Sequence, residues 1–352
     1  MSAPLDAPLT GVHVIEFEGI GPGPLAGRML AALGAQVTVI ARPQQGVVAA
    51  QLGGNGDNPM HYGKEVRQMD LKQEASRLDA LALIAQADAL IEGNRPGVME
   101  RLGLGPAECA RVNPRIVYGR ITGWGQDGPL AQAAGHDLNY VALTGLLSLS
   151  AHRGERPIVP PTVVGDASGA LGLAFGLVSA VLAARTSGQG VVVDASIVDI
   201  VVMLGGIAHW IHDSGQLGTE KPSAFHDSPF YDVYQCADGG YITLGSLEPQ
   251  FYALLLNKLG LSDVPLDKQY AAKEWPALKT RMTALFLSRP RQHWCALLEG
   301  TDVCFAPVLS LDEAALHPHN VARGTLTRSP SGGMLGHAAP RFTPLPGVQA
   351  HD

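Results

Sequence analysis

Six short apolar runs, separated by segments with helical spacing, recur through the first 200 residues and leave few architectures open. They are 12–17 (VHVIEF), 36–41 (QVTVIA), 66–71 (VRQMDL), 88–93 (DALIEG), 115–122 (RIVYGRIT) and 191–196 (VVVDAS). Between the first two, LAGRMLAALG ends at Gly34; between the third and fourth, LKQEASRLDALALIAQ carries apolar residues at helical intervals. Strands that alternate with helices predict a parallel sheet covered on both faces. The predicted class is α/β.

Past about residue 200 the pattern changes. YDVYQC and GYITLG alternate with period two around Ala237-Asp238-Gly239-Gly240, which predicts an antiparallel hairpin. Helical stretches at 249–260 and 275–287 follow, then a Pro-rich tail from about 317. This predicts a smaller α+β domain flanked by linkers, consistent with a 352-residue chain of about two domains.

Composition narrows the functional classes. Charged residues are 16% and hydrophobic ones 46%, so the chain is not disordered. The net charge of −7 disfavours nucleic acid as a partner. Cys109, Cys236, Cys295 and Cys304 form no CxxC pair and no His/Cys ligand spacing, which argues against a disulfide framework or a structural metal and fits a reducing, cytoplasmic setting. The start, MSAPLDAPLTG, reads as no secretory signal. Ala167 to Ala184 is uncharged and near spanning length, but its Ala, Gly and Ser content favours a buried helix over a membrane segment.

Several residues carry chemistry. Gly21, Gly23 and Ala26 match the G-x-G-x-x-G/A dinucleotide spacing, with two prolines inside the loop; a plain tight turn explains the same residues. Arg42 ends the next strand, where it suits a phosphomonoester, the 2′-phosphate of NADP or the 3′-phosphate of coenzyme A. Lys72, Arg95 and Arg101 also follow strand ends, and four cations at one end of consecutive strands suggest an anion site. Asp137 has the type and position of an N-cap for a helix at 138–147, next to His136, and Asp166 reads the same way ahead of the uncharged helix. The N–H groups at that helix start are candidates to receive an oxyanion. Glu248 reads as an exposed helix-start acid. There is no HExxH, GxSxG or Walker lysine in the chain. One His and two carboxylates suit proton abstraction beside a carbonyl, or acyl transfer through a carboxylate, without metal or cofactor.

Together these stretches resemble the family III CoA-transferase group, the carnitine-dehydratase-like (CaiB/BaiF-like) fold. The resemblance runs from residue 9 to about 345. It rests on Ile20-Gly21-Pro22-Gly23-Pro24, Ala41-Arg42-Pro43, Met69-Asp70-Leu71-Lys72, Glu92-Gly93-Asn94-Arg95-Pro96-Gly97, Glu100-Arg101-Leu102-Gly103, Thr122-Gly123-Trp124-Gly125-Gln126, Gly135-His136-Asp137-Leu138-Asn139-Tyr140, Val164-Gly165-Asp166 and Glu248-Pro249-Gln250-Phe251-Tyr252.

The resemblance implies a Rossmann-like large domain over 1–200, completed by about 320–352. It implies a linker at 201–225, a small α+β domain at 226–310, and a return linker with C-terminal segment at 311–352. It further implies an interlocked homodimer whose active site joins the large domain of one protomer to the small domain of the other. Arg42, Lys72, Arg95 and Arg101 would bind CoA. Met69, Asp70, Leu71, Gly93, Asn94, Gly135, Asp137, Leu138, Asn139 and Tyr140 would line the substrate. The glycine loop would then hold no dinucleotide.

Transferases of the group form an acyl anhydride at the Asp166 position, whereas the racemases use it for proton transfer and have a histidine where His136 stands. The expectation is therefore inversion of a 2-methylacyl-CoA α-carbon by His136 and Asp166, with Glu248 supporting His136 and no cofactor beyond the CoA of the substrate.

Overall fold

In a computed structural model, the described residues are 7–44, 58–152, 154–329, 332–343 and 345. Residues 1–6 of the N-terminal stretch and 346–352 of the C-terminal segment lie outside them. The chain divides into two compact units, one of 1–147, 159–204 and 324–352, the other of 148–158 and 205–323.

In the first unit, β1 (His13–Phe17), β2 (Gln36–Ala41), β3 (Lys64–Gln68), β4 (Ala89–Glu92), β5 (Val117–Thr122) and β6 (Val191–Ser196) form one sheet. Its order is β3-β2-β1-β4-β5-β6, with every pair parallel. Val14 pairs with Val37 on one side and Ala89 on the other, so β1 and β4 flank the point where strand order reverses. Ligands of open α/β sheets bind outside the carboxyl ends of the strands at such a point.

Successive side chains serve opposite faces, as a pleated strand requires. Val14 joins Val37, Ile91 and Val117 in the core under helices Pro22–Ala32 and Ser168–Ser187. Ile15 and Phe17 join Ile40, Leu90 and Tyr118 in the core under helix Glu74–Ile84. Burial on both faces is why these strands read as continuous apolar runs. By contrast β3, expected at 66–71, begins two residues earlier and ends at Gln68, because KEVRQ is an exposed edge strand with no apolar run to mark it. Residues 69–72 are thereby freed as a loop at the sheet's carboxyl end.

The uncharged helix is only half buried. Leu173, Leu177 and Val181 face the core, but Leu171, Phe175, Val178 and Leu182 remain exposed, Phe175 by 69% and Leu182 by 71%. The helix is long and apolar enough to cross a membrane, yet one whole side of it packs into the core of the sheet.

The second unit holds β7 (Tyr231–Gln235), β8 (Tyr241–Gly245) and β9 (Phe305–Val308), antiparallel with β8 central. The hairpin stands where the alternating pattern placed it. The third strand, FAPV, is short and contains Pro307, which suits an edge. Helices Pro249–Lys258, Trp275–Phe286 and Arg291–Leu298 bury Tyr252, Leu255, Phe286 and Trp294 against it. Residues expected as linkers are helical: Gly206–Asp213 lies within 201–225, and Leu311–Leu316 and Pro318–Arg323 lie within 311–352. In the first unit, β10 (Leu326–Arg328) and β11 (Met334–Gly336) make a small antiparallel pair.

Candidate active site

At the carboxyl ends of β1 to β4 lies a cavity of about 530 Å³ whose walls include Arg42, Met69, Asp70, Leu71, Lys72 and Asn94. Its loops are tied by hydrogen bonds that the sequence did not announce. Glu18, which follows β1, accepts the Arg42 backbone N–H at 2.9 Å. Asp70 accepts the Lys72 N–H at 3.1 Å, while the Arg77 guanidinium donates to the Leu71 and Lys72 carbonyls at 3.2 and 2.9 Å. Buried Glu92 accepts the Asn94 N–H at 2.7 Å and Arg120 Nε at 2.9 Å, and burial raises its carboxyl above the usual range. Positive charge at a rim of ordered loops is an arrangement that holds phosphate. Gly93, Arg95 and Arg101 follow strand β4 as expected but are not part of this cavity's wall.

A second cluster surrounds Asp166. Helix Asp137–Leu143 begins with His136, not Asp137, as its N-cap, and Asn139 Oδ1 accepts the His136 N–H at 3.0 Å. The predicted N-cap role of Asp137 is therefore corrected. Asp137 occupies the first helical turn, is 8% exposed, and its Oδ1 accepts the backbone N–H of Asp166 at 2.9 Å. Tyr140 packs edge-to-face on Trp124, ring centres 4.8 Å apart, and its hydroxyl donates to the Gly135 carbonyl. These contacts fix the turn that carries His136, which itself is exposed along with Leu138 and Asn139.

Nor is Asp166 an N-cap. It lies within a π-helical turn, Val163–Ala167, that runs into helix Ser168–Ser187. That turn also corrects the oxyanion expectation. The N–H groups of Asp166, Ala167 and Ser168 donate to Asp137, the Thr162 carbonyl and the Gly165 carbonyl, so the wide turn consumes donors that a free helix start would expose.

The Asp166 carboxyl stands against the glycine turn: a Cβ on Gly21, whose φ is +74°, would lie 2.8 Å from Oδ2. Burial pushes this carboxyl up to about 6, Asp137 adds to the rise, and His136 opposes it. The Tyr140 hydroxyl is raised by burial and by Asp166, and lowered by Arg95. Arg95 thus acts on the Asp166 cluster, while Arg42 and Lys72 serve the cavity. A carboxyl close to neutrality beside an imidazole is equipped to take or give a proton at physiological pH.

In the second unit Glu248 is the exposed N-cap of helix Pro249–Lys258, without a side-chain cap bond. Its charge, after burial, helps raise the Tyr270 hydroxyl and the Cys304 thiol. Cys304 lies on the wall of a cavity of about 560 Å³ in that unit.

The profile of CoA-transferase family III matches residues 9–350. The chain belongs to that family. Among its relatives are two isomerases, both called alpha-methylacyl-CoA racemase. The one from Mus musculus is 37% identical, covering 90% of this chain and 82% of its own length; the one from Homo sapiens is 35% identical, covering 97% and 88%. A crystal structure of a CaiB/BaiF family protein from Brucella suis superposes with a TM-score of 0.81 at 24% identity, over 96% of this chain and 93% of that one. That likeness establishes the family III fold.

Proposed function

We propose that the protein inverts the α-carbon of 2-methylacyl-CoA thioesters by two-base proton transfer. The single observation that carries this reading is the placement of the Asp166 carboxyl, set against the glycine turn at Gly21 and in the field of His136, where burial raises it to about 6. The sequence likeness to racemases supports it.

In the proposed cycle the nucleotide end of CoA sits at Arg42 and Lys72, and the acyl end reaches the cluster at Gly135–Tyr140. One base takes the α-proton, and the C–H electron pair moves into the thioester as an enolate. The conjugate acid on the other side then gives its proton to the opposite face. His136 serves one face and Asp166 the other, and Glu248 of a second copy of the chain balances the imidazolium charge. No cofactor is needed beyond the CoA of the substrate itself. A second copy of the chain completes the site, and the exposed Leu171, Phe175, Val178 and Leu182 supply an apolar surface for it.

The test is incubation of one pure enantiomer in deuterium oxide. The proposal expects deuterium at Cα to accumulate as configuration scrambles. Transfer of CoA to an added free carboxylic acid, without Cα exchange, would instead assign Asp166 the anhydride chemistry of the transferases.

A further inference from the structure

A buried ion pair beneath the glycine turn has no task in the proton transfer above. Lys64, the first residue of β3, and Glu16, on β1, have side-chain exposures of 0 and 1%. The Lys64 ammonium donates to Glu16 Oε2 at 2.5 Å and to the Pro24 carbonyl at 2.8 Å. Glu16 Oε1 has no hydrogen-bond partner among the described residues. The carboxylate fills the space of a missing side chain, since a Cβ on Gly27 would lie 1.8 Å from Oε2. Burying two charges costs several kcal/mol per ion, and well-packed apolar residues of similar volume often do as well for stability. An incompletely satisfied carboxylate makes the case for a purely stabilising role weaker still.

What the pair holds is the turn that faces Asp166. Pro22 and Pro24 remove two N–H groups from the first turn of helix Pro22–Ala32, and its N-cap, Gly21, has no side-chain cap bond. The Leu25 N–H reaches the Gly21 carbonyl only at 3.3 Å. Lys64 ties this turn, at the Pro24 carbonyl, to Glu16 on β1. Three residues away, Gly21 meets the Asp166 carboxyl.

We propose that Lys64, held by Glu16, is a positioning residue for Asp166: it fixes the glycine turn against which that carboxyl is set. The proposal rests on the reading of Asp166 as one of the two bases, and it makes a one-sided claim. Among the described residues, the Lys64 side-chain bonds run to β1 and the glycine turn, and none runs to the helix that His136 caps. Loss of Lys64 therefore weakens one face of the reaction.

The experiment measures α-proton exchange in deuterium oxide from each enantiomer of a 2-methylacyl-CoA separately, after Asp166→Ala has identified the enantiomer whose exchange depends on Asp166. With Lys64→Met, exchange of that enantiomer should fall about 10- to 100-fold, the scale of a base displaced by about 1 Å. KM and exchange of the other enantiomer should stay within about twofold of the parent. Lys64→Arg, which keeps donors for both acceptors, should restore most of the rate. The double variant Glu16→Gln with Lys64→Met leaves no buried charge alone, so it keeps the test valid if the single variant fails to fold. Equal losses on both faces, or no loss in a folded variant, would overturn the positioning role while the parent remains a racemase. A parent that exchanges neither enantiomer would overturn the function, and this role with it.

Discussion

In the proposed reaction, Asp166 is the residue whose environment most directly sets the chemistry. Burial raises its carboxyl to about 6, so as a base it is lost when pH falls through that value. Rates of α-proton abstraction in which it is the base should fall tenfold per pH unit below about 6 and level off above. The same shift has a stability consequence of opposite sense. Folded Asp166 binds its proton more tightly than an unfolded aspartate, so between about 4 and 6 the folded state holds more protons and loses stability as pH rises. Above that window Asp166→Asn should stabilise the protein by about 1 kcal/mol, a value discounted for the partial solvent exposure of the site. Below pH 4 the two proteins should unfold at the same temperature, as thermal melts across pH would record. Unchanged acid limbs in the rate profile would remove Asp166 from the proton transfer.

At the scale of elements, helix Asp137–Leu143 and the π-helical turn Val163–Ala167 act as one unit through the bond from the Asp166 N–H to Asp137. Asp137→Asn keeps an acceptor there and removes a charge that raises the Asp166 carboxyl, so the acid limb of the rate profile should move to lower pH with stability nearly unchanged. Asp137→Ala leaves the N–H unpaired and should cost about 1–3 kcal/mol in denaturant unfolding. An acid limb that does not move in the asparagine variant would show that the Asp137 charge is irrelevant. The residue types at 136, 137 and 166 were legible in sequence, but the local structural places of Asp137 and Asp166 were not. An Asp ahead of a helix looks like an N-cap, and only the packed structure reveals that Asp137 spends its oxygen on a distant N–H. The π turn left no pattern at all. Edge strand β3 was misplaced, by two residues at its start and three at its end, for a related reason, since exposure had erased its apolar signature. Glu18 and Arg77, and the bonds that Glu92 makes, escaped notice because their partners lie far off or in the backbone, where residue spacing carries no signal.

For the whole molecule, the run of strands and helices sufficed to specify the α/β class and a parallel sheet, because burial on both faces writes hydrophobicity into β1, β2, β4 and β5. The helices at 206–213, 311–316 and 318–323 were missed because each is only six to eight residues long, too short for a helical repeat to stand out along the sequence. The exposed Phe175 and Leu182 set the next expectation, that a second copy covers this face. Phe175→Glu with Leu182→Glu should convert a dimer to a monomer in analytical ultracentrifugation and abolish activity if the active site joins two protomers. A wild-type monomer with full activity would contradict that assembly. The central claim, two bases on two faces, is tested most directly by α-proton exchange from each pure enantiomer in deuterium oxide with His136→Ala and Asp166→Ala. Each variant should lose racemisation, because inversion needs both groups. Each should keep slow exchange of one enantiomer, and not the same one, with the lost rate about 10²–10⁴-fold below the parent. Racemisation at the parent rate in either variant, or loss of exchange from the same enantiomer in both, would contradict the account.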